Sequence, residues 1–444
     1  MKIAYITAGA AGMFCGSCMR DNTLVAAMHR LGHDALLVPT YTPVTLDEPD
    51  QSGRRVFLGG VNVYLQEKSW LFRHTPRWFD WLLDRPWLLR WASRFASQSK
   101  YEDLGGLTIS MLKGHEGHQR KEVDLLVDFL KSEVKPDVVV LTNVLLSGII
   151  PALKVSLNVP IVATLQGDDL FLDALRPADR QACLELIRHN TSSVSGLIAT
   201  SHFYADHMAG YLGIDRRRIT VIPAGIDLKG HGTANPATTG TTTRATNVVT
   251  IGFFARIAPE KGFHHFIDSY IEWRTRPANA VRSLSPNAPN VKLKASGWFG
   301  EQHRNYFNGQ LEKLRQVGLA HDFEYVPSPD HASKVKFLQS LDLLCVPSTY
   351  KEPKGLFVLE AWANGVPVVL PDHGCFSELV QSTGGGLLVP HGNLAAMADA
   401  WNELIHNPDR RRSLGEAGRS AVRERYSAEA MAKTTLDYLG SVRN

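Results

Sequence analysis

Cysteine is scarce: Cys15, Cys18, Cys183, Cys345 and Cys375 are the five in 444 residues. An odd, widely spaced set argues against a disulfide framework and fits reduced thiols. Long apolar runs are lacking too. The longest mostly apolar stretch, between Asp137 and Lys154, is broken by Asn143, Ser147 and Pro151, well short of the roughly 20 residues that a bilayer span needs. Residues 1–6 run straight into Thr7, Gly9 and Gly12, so no export signal is expected and the chain is read as cytoplasmic. Nor does charge of one sign dominate. Forty-eight Lys plus Arg against 44 Asp plus Glu leave a net +4, with no concentrated basic block of the kind that nucleic-acid binders carry. Nucleic acid is therefore not an expected partner.

What is present is a globular composition, 44% hydrophobic and 21% charged, in a length that allows two or three domains at ~150 residues each. Short β-branched runs alternate with longer amphipathic stretches, the pattern of parallel sheets crossed over by helices. Strands are expected at 2–7, 34–39, 137–141, 160–164, 196–200 and 219–223, each followed by a helix, and after a Gly/Thr/Asn/Pro-rich linker at 247–254, 290–295, 323–326, 341–346 and 366–371. The simplest account is α/β, with two doubly wound Rossmann-like domains facing a cleft. The first spans 1–228, the linker 229–246 and the second 247–427, with a C-terminal helix (428–444) crossing back to the first. In such sheets ligands bind beyond the carboxyl ends of the strands, so the strand-to-helix loops are where chemistry belongs.

One stretch breaks the rhythm. Residues 41–132 form an insertion in which Trp70, Trp78, Trp81, Trp87 and Trp91 interleave with Arg73, Arg77, Arg85, Arg90 and Arg94. Helices that pack Trp faces on the domain and expose arginines are the commoner case. The other reading places 68–98 at a membrane interface, as a peripheral contact or a lip for an amphipathic ligand.

The loop after the first strand holds Gly9, Gly12 and Cys15-Gly16-Ser17-Cys18, ahead of a helix expected near 21–31. Glycines between strand and helix let backbone amides approach an anion, and the helix start adds partial positive charge. Neither the dinucleotide spacing nor a Walker A lysine is present, so this loop alone names no ligand. The C-x-x-C spacing suits a redox dithiol, but the small thioredoxin-like context is absent and plain packing competes. A zinc site would need four ligands, and no second pair stands at a matching spacing.

In the second half, Arg256 leaves the strand end and Lys261 starts the next helix. Two cations beside a helix N-terminus make a diphosphate site, although either could instead pair with Glu260. The most specific element is Glu352-Pro353-Lys354-Gly355-Leu356, running on to Glu360. The two glutamates stand on the order of 10 Å apart by helical and extended rise. That exceeds the about 5 to 9.5 Å of a glycosidase pair but suits the ends of one extended ligand. A sugar and a ribose joined by a diphosphate have that shape, their hydroxyls donating to carboxylates that only accept. Amides near Gly355 and Leu356 would face the phosphates. Against this, Glu360 could be a satisfied helix residue and Glu352 a surface one.

The loop from Arg256 to Lys261, the E-x7-E element and the segment Val221-Ile222-Pro223-Ala224-Gly225-Ile226-Asp227 together resemble the retaining GT-B glycosyltransferases of family 4, also called group 1. The resemblance covers the first 40 residues and most of the chain after about 160. It implies a nucleotide-sugar donor held by the second domain and a saccharide, lipid-linked or small-molecule acceptor held by the first. Arg256 and Lys261 would bind the diphosphate, Glu352 the transferred sugar, Glu360 the ribose and the Gly16 region the distal phosphate. Transfer would retain configuration and need no protein nucleophile. Asp168-Asp169 is weak as a metal signal, and no cofactor or metal is expected. Two departures stand out: Gln166 or Asp168 lies where the family often has a histidine, and Lys354 stands where it commonly has phenylalanine. Other functions fit parts of the pattern: nucleotide-sugar epimerisation on the same scaffold, or a non-catalytic, membrane-associated binding protein.

Overall fold

A β-branched run that is apolar on both faces must be covered on both, and a parallel sheet between helix layers does this. The computed structural model describes residues 1–9, 14–53, 55–59, 63, 104–232, 248–277 and 289–443. Two compact units emerge, Met1–Ala224 with Ala428–Asn444, and Gly225–Ser427.

In the first unit, β1 (Lys2–Ala8), β2 (Asp34–Thr40), β3 (Val138–Leu141), β4 (Ile161–Leu165), β5 (Gly196–Ala199) and β6 (Ile219–Val221) lie in the order β2-β1-β3-β4-β5-β6. Every pairing is parallel. Alternate residues face opposite layers. Ile3, Tyr5, Val138 and Val140 pack on Leu24 and Met28 of the helix Gly16–Arg30 and on Met431 and Leu439 of the helix Ala428–Arg443. Ala4, Ile6, Val139 and Leu141 face the other layer, where Leu126, Leu153, Ile187 and Met208 lie.

The second unit repeats the plan with β7 (Val248–Phe254), β8 (Asn290–Ser296), β9 (Phe323–Tyr325), β10 (Leu343–Cys345), β11 (Val368–Pro371) and β12 (Gly386–Val389), ordered β12-β11-β10-β7-β8-β9. Strand order therefore reverses between β1 and β3 in one sheet and between β7 and β10 in the other. Loops diverge at such points and open a crevice.

Predicted strands fall within about two residues of these, with three corrections. β12 was not expected, because Gly386-Leu387-Leu388-Val389 follows Gly384 and Gly385 and reads as a loop. Among the described residues no helix lies between β6 and β7, and the second unit begins at Gly225. The first helix starts at Gly16, a turn before the expected residue 21. Its opening residues are small and loop-like, and tertiary bonds hold them: the Cys18 thiol donates to the Ala8 carbonyl (2.7 Å) and Ser17 Oγ to the Gln166 carbonyl (3.4 Å). Within the insertion, Gly105–Leu112 and Arg120–Phe129 are helices, whereas 68–98, with its Trp and Arg residues, lies outside the described residues. Most of the 229–246 linker does too. Among the described residues, no helix is long and apolar enough to cross a membrane.

Two glycines shape the β7/β10 crevice. Gly262 has φ +74°, and a Cβ there would sit 1.8 Å from the Pro347 carbonyl oxygen, so the loop after β7 can lie directly on the end of β10. Gly355, φ +63°, turns the chain into the helix Leu356–Ala363. That helix is anchored by Trp362, fully buried, whose indole N–H donates to the Gly385 carbonyl at 2.7 Å. A Cβ on Gly418 would come within 2.3 Å of the indole. Gly418→Ala is therefore expected to destabilise the protein by about 1–3 kcal/mol through overpacking. Gly309→Ala, in an exposed helical position with nothing within 4 Å, should stabilise by about 0.5–1 kcal/mol. Denaturant titration of both variants checks the contrast.

Candidate functional site

At the β7/β10 switch point, Lys261 and Glu352 meet. Lys261 closes the loop after β7 and Glu352 lies in the loop after β10, with the Lys261 Nζ 2.5 Å from Glu352 Oε2. Their side chains are 13% and 5% exposed, so the reading of Glu352 as a surface residue is wrong. Tyr350 completes a triangle: its hydroxyl accepts from Lys261 Nζ (3.1 Å) and donates to Glu352 Oε2 (2.9 Å). The Glu352 carbonyl accepts from Cys375 N–H at 2.9 Å, which ties this loop to the loop after β11. Burial pushes the Glu352 carboxyl up. The Lys261 charge and hydrogen bond, the Lys354 charge and the Tyr350 hydroxyl outweigh it and hold the group below the ordinary 4.5. Lys354 is itself only 9% exposed, so it does not point outward.

Arg256 pairs with Glu260, one turn along the loop. Glu360, 5% exposed, projects from the helix Leu356–Ala363 and accepts from Lys334 Nζ at 2.7 Å, a salt bridge buried on both sides. Asn364 Nδ2 donates to the Glu360 carbonyl (2.9 Å) and to His231 Nδ1 (2.8 Å). Burial and the Lys334 charge push His231 down to about 3, so it is the neutral acceptor that this bond requires. Gly355 caps the helix without a side-chain hydrogen bond, and an uncapped helix start suits an anion.

In the first unit the β1/β3 switch point is closed by a buried network. Asp21 accepts from Arg20 Nη1 (3.1 Å), from Gln166 Nε2 (3.1 Å) and from the Thr142 hydroxyl. Arg20 Nη1 also donates to the Tyr5 hydroxyl at 2.8 Å, and Gln166 Nε2 to the Thr142 carbonyl at 3.0 Å. Asp168 accepts backbone N–H groups on both oxygens, from Val144 (3.1 Å) and Gln166 (3.0 Å), while burial pushes it up to about 6. Asp169 instead accepts from Tyr204 (2.7 Å) and faces His207 Nε2 at 3.0 Å. The two adjacent carboxylates thus serve different partners. Gly16 opens its helix without a side-chain cap.

Of the residues singled out from sequence, Lys261, Glu352 and Lys354 converge. Arg256 pairs locally with Glu260 and Glu360 with the distant Lys334, and Gln166 and Asp168 stitch strand ends together. Sequence reasoning missed Tyr350, Lys334, Asn364, His231, Asp21 and Thr142. Of these only Asn364, four residues beyond Glu360 on one helix face, left a local signal.

Removing one partner of a buried pair strands the other charge. Lys334→Met is expected to cost about 3–5 kcal/mol in equilibrium unfolding, and Lys334→Met/Glu360→Leu to regain most of it.

The family described as glycosyl transferases group 1 matches residues 241–421, and a glycosyl transferase 4-like domain matches 22–225. Among curated relatives, the D-inositol 3-phosphate glycosyltransferase of Nocardia farcinica is 29% identical over 248 residues, 55% of this chain and 51% of the relative. The phosphatidyl-myo-inositol mannosyltransferase of Mycobacterium leprae is 36% identical over 130 residues, 29% of this chain and 34% of the relative. The chain spans about half the length of the first of these and a third of the second. Among solved structures, Anabaena HepE in complex with UDP aligns with a TM-score of 0.66 at 16% identity, over 99% of this chain and 100% of that one. Sucrose-phosphate synthase from Thermosynechococcus elongatus aligns at 0.67 and 17%, over 99% and 98%. These likenesses speak for the two-domain α/β GT-B fold. With both halves of the sequence matched and that fold in place, the chain belongs to the group 1 glycosyltransferases.

Proposed function

We propose that the protein moves a sugar from a nucleotide-diphosphate sugar to a saccharide, lipid-linked or small-molecule acceptor, with retention of anomeric configuration and without a metal ion. The observation that carries this reading is the meeting of Lys261, Tyr350 and Glu352 at the switch point of the second sheet. In it, Arg256 and Lys261 bind the diphosphate, with the amides at Gly355 and Leu356. Glu352 takes hydroxyls of the transferred sugar and Glu360 those of the ribose. Gly16 heads the helix that receives the distal phosphate. Gln166 and Asp168 shape the β4 loop on the sugar or acceptor side.

Chemically, the departing diphosphate gathers negative charge, and fixed cations and amides stabilise it without reorganising. Arg256, Lys261 and Lys354 supply that charge in place of the cation that metal-dependent transfer uses. The acceptor hydroxyl attacks from the face that the nucleotide leaves, so the anomeric configuration is kept. The relatives, an inositol phosphate glycosyltransferase and a phosphatidylinositol mannosyltransferase, support a polyol or lipid headgroup as acceptor. Residues 68–98 would then contact the membrane peripherally at its inner face when the acceptor is lipid-linked.

Proton NMR of the sugar transferred to water or to an acceptor from UDP-, GDP- and ADP-linked donors tests the reaction. Retained anomeric coupling is expected, unchanged by EDTA; inversion, or loss of turnover on chelation, would refute the respective part. Lys354→Met should move the acid limb of kcat/KM to higher pH. Ionised, Glu352 accepts on both oxygens and holds its pair with Lys261, and removing a cation raises its pKa.

A further inference from the structure

A lysine ammonium has three N–H donors and no acceptor. At Lys261 two are engaged, one by Glu352 Oε2 at 2.5 Å and one by the Tyr350 hydroxyl at 3.1 Å. Tyr350 is an active member of this triangle, since its hydroxyl accepts from the lysine and donates to the same Oε2 at 2.9 Å. Nζ also lies 4.7 Å from the centre of the Tyr350 ring and 5.6 Å from that of Phe357. Aromatic carbon therefore hems in the cation where water would otherwise compete for it.

Without the hydroxyl, the ammonium could rotate about a single ion pair. With it, two donor directions are fixed and the third follows from tetrahedral geometry. Both hydrogen bonds to the carboxylate end on Oε2, which leaves Oε1 for a ligand hydroxyl. We propose that Tyr350 is a positioning residue that holds the Lys261 ammonium so that its third N–H meets the diphosphate of the nucleotide. The inference rests on the donor reading above and adds to it a residue outside the Arg256 to Lys261 loop and the E-x7-E element.

The test compares nucleoside diphosphates with monophosphates by calorimetric titration of the full chain, using UDP/UMP, GDP/GMP and ADP/AMP. For the pair that binds wild type, Tyr350→Phe keeps the ring and should weaken the diphosphate about tenfold. The monophosphate should stay within about twofold. In a Lys261→Met background the further change Tyr350→Phe should alter nothing, because the hydroxyl then has no ammonium to aim. Phe357→Leu, which removes a nearby ring but no hydroxyl, should keep the preference for diphosphate. Equal weakening of both nucleotides by Tyr350→Phe, no weakening of either, a further loss without Lys261, or the same loss in Phe357→Leu would each overturn the assignment. Failure of wild type to bind any of the diphosphates would instead sink the donor reading, and the inference with it.

Discussion

The candidate site depends on one buried ion pair, Lys261 with Glu352. Taking both charges out of water is costly, and their attraction repays that only when the remaining polar atoms are satisfied. Tyr350 provides this by bridging both partners, and Lys354 adds a second cation that keeps the carboxylate ionised. A lysine so fixed is preorganised. It need not be recruited when negative charge develops, which is the condition under which electrostatic stabilisation is largest.

The fold delivers the pair. Reversal of strand order between β7 and β10 parts the loops that carry Lys261 and Glu352, and Gly262 lets the first of them lie on the end of β10. The first unit uses its own reversal, between β1 and β3, differently. There Thr142 and Gln166, just past the ends of β3 and β4, are bonded to Asp21 of the helix Gly16–Arg30, so the uncapped start of that helix rests on a rigid base. One half thus presents charges at its switch point, while the other braces a helix terminus.

Much of this was legible in the sequence, for identifiable reasons. Eleven strands could be placed because β-branched runs alternate with amphipathic stretches over short windows. Arg256, Lys261, Glu352 and Glu360 could be named because each sits in a compact local motif. The pairings could not be read. Lys334 lies 26 residues before Glu360 and belongs to a helix whose pattern says only that it packs. Tyr350 reads as an ordinary loop aromatic until the fold brings Lys261, 89 residues earlier, to its hydroxyl. The bonds from Asp21 to Thr142 and Gln166 span 121 and 145 residues, and no periodicity reports contacts of that range. β12 escaped because its glycines mimic a turn.

The most direct test of the central claim, that Lys261 and Glu352 form a nucleotide-sugar site, is thermal unfolding of the full chain against UDP-, GDP- and ADP-sugars at millimolar concentration. The account predicts that at least one donor raises the wild-type midpoint, by several degrees if present near 100 Kd (about 2.7 kcal/mol). The same donor should leave Lys261→Met and Glu360→Ala nearly unmoved. No shift of wild type with any donor, or equal shifts in all three proteins, would contradict it.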